Sequence, residues 1–156
     1  MTKILFVCHG NICRSPMAQY VMRHLVRERG LENDVSCDSA AATRDALGMQ
    51  PHRGTRRVLA KHGIACGNHR ARLITAKDGA SYDLIIGMDE ENMRDMRRIL
   101  DRRWHHKLHR MLDWSERVRD VADPWYTGDY DRTFADIWEG CCDLLDELER
   151  THGSNL

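Results

Sequence analysis

A cysteine and an arginine, Cys8 and Arg14, stand with five residues between them in the stretch Val7-Cys8-His9-Gly10-Asn11-Ile12-Cys13-Arg14-Ser15-Pro16. The types and spacing suit a tetrahedral anion. A short loop feeding a helix N-terminus turns successive backbone N–H groups into one concavity, and residues 9 to 14 would line it. The guanidinium of Arg14 can grip two anion oxygens in a fork. Cys8 lies at the base of the same concavity, and helix N-termini and nearby cations favour the ionised thiol. Such a thiolate can attack phosphorus and form a cysteinyl-phosphate that water later hydrolyses. Gly10 permits close approach of the backbone, and Asn11 tolerates the left-handed conformation that a tight loop demands. The hydroxyl of Ser15 can donate to the Cys8 sulfur as it leaves.

The second requirement is a proton donor for the leaving oxygen. Asp123 is the candidate, because Pro124 holds the residue before it extended and Trp125 and Tyr126 follow at once. In the second step its carboxylate would activate water. Trp125 and Tyr126 would wall the pocket and stack on a substrate ring, with His9 and Ile12 on other parts of the rim.

The elements around these residues read as an α/β chain. Ile4 to Val7 is a buried strand, and Pro16 to Gly30 has helical apolar spacing with Met17, Val21, Leu25 and Val26 inward. Val35 to Ala40 is a second strand, with Ser39 near its end. Residues 43 to 53 form an exposed loop, followed by a helix from Arg53 to Lys61. A helical turn is expected over Thr75 to Ser81 and a third strand over Asp83 to Met88. Asp89 caps a helix that runs to Leu100; Lys107 to Leu112 is a fourth strand, and Thr133 to Arg150 a long amphipathic helix. The expected fold is a single-domain α/β sandwich over residues 1–156, with a central four-stranded parallel sheet and helices on both faces. Ligands in such sheets lie beyond the carboxyl ends of the strands, where the loop of Cys8 sits.

Residues 6 to 18, Phe-Val-Cys-His-Gly-Asn-Ile-Cys-Arg-Ser-Pro-Met-Ala, resemble the signature of the low-molecular-weight protein tyrosine phosphatases. The likeness continues through Asp38-Ser39-Ala40-Ala41, Ile86 to Asn92 and Asp123-Pro124-Trp125-Tyr126. It implies a phosphotyrosine phosphatase with Cys8 as nucleophile, Arg14 as anion clamp and Asp123 as general acid and base. It implies that Ser39 helps to hold Asn11, that His69 supports the loop, and that Cys13 can pair with Cys8 under oxidants. Asp89 matches a structural anchor. The chain departs from many members at Trp125, where they carry tyrosine. Relatives acting on phosphoarginine carry threonine where Ile12 stands, so an apolar Ile12 favours phosphotyrosine.

Composition bounds the rest. The 156 residues carry zero formal net charge, which predicts neither nucleic acid nor membrane as a partner. The basic stretch from Arg94 to Arg110 reads as a solvated face or as a docking patch for acidic phosphopeptides. No N-terminal stretch resembles a signal peptide, and the six cysteines lack disulfide-rich spacing, so a cytoplasmic protein with reduced thiols is expected. No cofactor or metal is called for; the partners are a tyrosine-phosphorylated protein or peptide and inorganic phosphate, as product and inhibitor. Three alternatives compete: a protein-arginine phosphatase, a thiol-dependent arsenate reductase, and a cysteine-based redox or metal-sensing module. The absence of cysteine between Gly67 and Val121 counts against the reductase, which needs two further redox thiols mid-chain. A zinc site would need more ligands at matched spacing than Cys37 and Cys66 provide.

Overall fold

A computed structural model describes residues 1–153. Four parallel strands form one sheet in the order β2-β1-β3-β4, where β1 is Thr2–Cys8, β2 Val35–Ala41, β3 Leu84–Gly87 and β4 Leu108–Arg110. The central strand β1 is apolar on both sides because both sides are covered. Ile4, Phe6 and Cys8 face a core shared with α1 (Arg14–Glu28), α2 (Arg53–Lys61) and α6 (Tyr130–Gly153). Leu5 and Val7 face the opposite core, with Ile74, Met93, Met96 and Leu100 around α4 (Glu90–Ile99). The expected α/β architecture is therefore observed, helices on both faces included.

Local chemistry sets the element ends. α1 stops in a Schellman turn: Gly30 has φ 67°, its N–H bonds the Arg27 carbonyl, and Leu31 N–H bonds the Val26 carbonyl. Asp89 caps α4 by accepting from Asn92 N–H at 2.8 Å, as its position after a strand predicts. Two short helices complete the set, α3 (Asp78–Ser81) and α5 (Pro124–Thr127).

Three of the differences from expectation have a local cause. The fourth strand spans only three residues, because Arg102–Lys107 before it winds into a 3₁₀ turn capped by Asp101 and a turn follows it in which Asp113 N–H bonds the Arg110 carbonyl. The last helix starts at Tyr130, where Asp129 accepts from Arg132 N–H and opens it a turn early. The Asp123-Pro124 turn continues into α5, with the Asp123 carboxylate as its cap and proline in the first helical turn.

Candidate active site

The loop after β1 ends at the N-terminus of α1, and its residues are fixed from several directions. Asn11 is the only non-glycine with positive φ among the described residues, at 59°. Its side chain is held at both ends: Nδ2 donates to Ser15 Oγ at 2.7 Å, and Oδ1 accepts from Arg72 N–H at 3.2 Å. Its carbonyl accepts from His69 Nε2 at 2.9 Å. A carbonyl can only accept, so Nε2 carries the proton, and burial pushes His69 below the usual histidine range and keeps it neutral. These bonds hold a backbone conformation that a free chain would avoid.

Ser15 relays this order to Cys8. Its Oγ accepts from Asn11, so its own O–H is free to donate to Cys8 Sγ, 3.0 Å away; Ser15 N–H points at the same sulfur from 3.4 Å. Two donors thus converge on one buried sulfur. Cys8 and Ser15 are almost wholly buried, at 3% and 0% exposure.

Arg14 is the largest fully buried side chain among the described residues. One terminal nitrogen donates to Asp89 at 2.7 Å and to the Val121 carbonyl at 2.8 Å, and the other lies 3.4 Å from Asp123. Burial works against its charge, but Cys8, Asp89 and Asp123 outweigh that and raise it above the ordinary arginine range. The guanidinium is thus a permanent cation, carried by α1 and held by acceptors at the end of β3 and in the segment before α5. Asp123 also accepts from Trp125 N–H at 3.0 Å, which fixes its carboxylate at the cleft edge.

These groups open into a cleft of about 780 Å³ lined by Cys8, His9, Gly10, Ile12, Cys13, Arg14, Asp123, Trp125 and Tyr126, together with the segment from Asp45 to Arg56. Trp125 and Tyr126 stand at the rim, 62% and 84% exposed. The structure therefore brings together every expected site residue except Ser39. The Ser39 hydroxyl is bonded to the Gln19 side chain, one turn along α1 from Ser15, and not to Asn11.

Several residues escaped the sequence reading. Asp89 is more than a helix cap, since its second oxygen binds Arg14; its place at the end of the strand beside β1 was the available signal. Tyr130 joins Cys13 Sγ at 3.6 Å to His52 Nδ1 at 2.9 Å, and no local pattern announces that link. Burial above all pushes the Cys13 thiol up to about 11. Asp45 holds His9 at 2.6 Å. Among the described residues no group of three His, Cys, Asp or Glu is arranged to hold a metal, and no helix is long and apolar enough to cross a membrane.

Comparison with known proteins agrees with this geometry. YfkJ of Bacillus subtilis, a low-molecular-weight protein-tyrosine-phosphatase, is 38% identical over 152 residues, covering 96% of this chain and 97% of its own. Its crystal structure matches with a TM-score of 0.91 at 37% identity, over 97% of this chain and 96% of that one. A Drosophila arginine phosphatase also matches, with a TM-score of 0.87 at 29% identity over 95% and 98% of the two chains. The sequence model of the low molecular weight phosphotyrosine protein phosphatases matches residues 3–154, so the chain belongs to that family and is a cysteine-dependent phosphatase.

Proposed function

We propose that this protein hydrolyses phosphotyrosine in proteins or peptides through a covalent intermediate on Cys8. The Cys8 thiolate attacks phosphorus while residues 9 to 14 and the Arg14 guanidinium hold the phosphoryl oxygens. The bond from phosphorus to the tyrosyl oxygen breaks, and Asp123 delivers a proton to that oxygen. Water then attacks the cysteinyl-phosphate, Asp123 takes its proton, and the sulfur–phosphorus bond breaks. Ser15 O–H meets the departing sulfur. Inorganic phosphate is the product, and it would inhibit by occupying the same loop.

The observation that carries this reading is one cleft holding a buried sulfur with two donors on it, a buried guanidinium, and Asp123 within 3.4 Å of that guanidinium. Ser15, Asn11 and His69 act through the loop rather than on the substrate. His9, Ile12, Trp125 and Tyr126 shape the pocket. No step calls for a cofactor, and a nucleophilic thiol works in a reducing compartment such as the cytoplasm, the location this reading favours.

Two family activities remain to be separated, because a structural neighbour is an arginine phosphatase. Ile12 favours the tyrosine reading: it lines the cleft with an apolar side chain that offers nothing to a guanidinium nitrogen and packs well against a phenyl ring. Matched peptides carrying phosphotyrosine, phosphoserine or phosphoarginine, assayed with a chelator present, test the assignment. Phosphotyrosine should be hydrolysed fastest, undiminished by the chelator; faster release from phosphoarginine would overturn it.

A further inference from the structure

The cleft rim is electrically polarised along the phosphate-binding loop. At the His9 end, Thr43 N–H and its hydroxyl both bond the His9 carbonyl at 3.0 Å, which brings Asp45 to His9. Glu91 approaches the other ring nitrogen of His9 at 3.8 Å. Both carboxylates are well exposed. At the opposite end, His52 N–H bonds the Ile12 carbonyl at 2.7 Å and Thr55 Oγ the Cys13 carbonyl at 3.1 Å, which anchors the start of α2 there. Arg53 and Arg56 project from that start and line the cleft.

This placement contradicts what a helix N-terminus prefers. The positive end of a helix dipole favours acidic side chains, yet the first turn of α2 has none and begins with Arg53. Neither arginine is paired with a carboxylate among the described residues; the Arg56 guanidinium bonds the neutral Gln50 amide, at 3.2 Å. Two exposed cations on an uncompensated helix end cost some stability and leave a positive field facing the substrate. Local rules broken without a local gain point to function.

We propose that Arg53 and Arg56 form a subsite for a carboxylate side chain close to the phosphotyrosine, while Asp45 and Glu91 repel one from the other end. The phosphopeptide is thereby read for the side on which its acidic residues lie. The inference rests on the tyrosine phosphatase reading and deepens it. Steering by exposed charges acts on association and hence on KM more than on the chemical step at Cys8.

The test uses two phosphotyrosine peptides of identical composition, one with aspartates only before the phosphotyrosine and one with aspartates only after it, beside a small aryl phosphate. One peptide should exceed its mirror about five- to tenfold in kcat/KM at low salt, through KM, and the ratio should shrink toward one in about 0.5 M salt. In Arg53→Glu/Arg56→Glu protein the ratio should fall to one or invert; because it is read within one protein preparation, a general loss of activity does not mimic it. Equal rates for the two peptides, or a ratio that survives the double substitution, overturns the subsite. Failure to hydrolyse even the aryl phosphate would instead remove the phosphatase reading, and the subsite with it.

Discussion

The floor of the cleft and its rim are built in opposite ways. Cys8, Asn11, Arg14 and Ser15 are all at most 3% exposed, and each bonds to at least one other element or loop residue. His9, Asp45, Arg53, Trp125 and Tyr126 are at least partly open to solvent, with few bonds among them. The contrast separates two tasks. Stabilising charge that develops on a phosphoryl group needs donors already in place, since reorganisation at the moment of reaction is costly. Accepting different polypeptides needs side chains that can adapt, and their individual contributions are small.

The comparison is broken most severely at the floor. Cys8→Ser should lower turnover at least about 10⁴-fold, since the hydroxyl is a far weaker nucleophile there, while phosphate binding persists. Calorimetry with phosphate and a rate assay check both halves; appreciable turnover would remove Cys8 as the nucleophile. Asp123→Asn, at the junction of floor and rim, should cost about 10²–10⁴-fold for substrates with poor leaving groups and much less for good ones. Equal slowing across a leaving-group series would reject Asp123 as the acid.

Rim changes should act on choice rather than on chemistry. Ile12→Thr should move the phosphotyrosine-to-phosphoarginine ratio about tenfold toward phosphoarginine, because a hydroxyl can pair with guanidinium nitrogens that an ethyl group cannot. An unchanged ratio would show that position 12 does not select. The smallest effect concerns Cys13. Its thiol ordinarily titrates at 9.0 and is pushed up to about 11 in the folded protein, so the unfolded chain loses this proton first as pH rises. Its contribution to stability is full below pH 9 and is lost as pH rises toward 11. In Cys8→Ser protein, alkylation at Cys13 mapped by mass spectrometry should stay slow at pH 9 and accelerate toward pH 11. Fast labelling at neutral pH would show a Cys13 less enclosed than the floor requires.

Different parts of this site were legible to different degrees. Cys8, Arg14 and Ser15 could be assigned from local order alone, because a strand, a loop and a helix start place them within seven residues of one another. The Asp89 cap was legible for the same reason, while its bond to Arg14 was not. Ser39 shows where resemblance misleads: the position at the end of β2 is right, but the hydroxyl bonds the Gln19 side chain on α1. The early start of α6 went unread because Asp129 and Tyr130 interrupt no apolar stripe that would mark it.

By itself the amino-acid order determined the parallel α/β architecture and the short loop that carries Cys8 to the start of α1. Both depend on hydrophobic periodicity and on backbone chemistry within a few residues, which a chain cannot evade. Only the tertiary structure decided which carboxylates meet Arg14, that Arg72 and His69 hold Asn11 from about 60 residues away, and that Tyr130 reaches Cys13 across 117 positions. Those contacts exist because the strands close side by side and bring their carboxyl ends to one edge, and no short-range preference encodes how distant side chains share that edge.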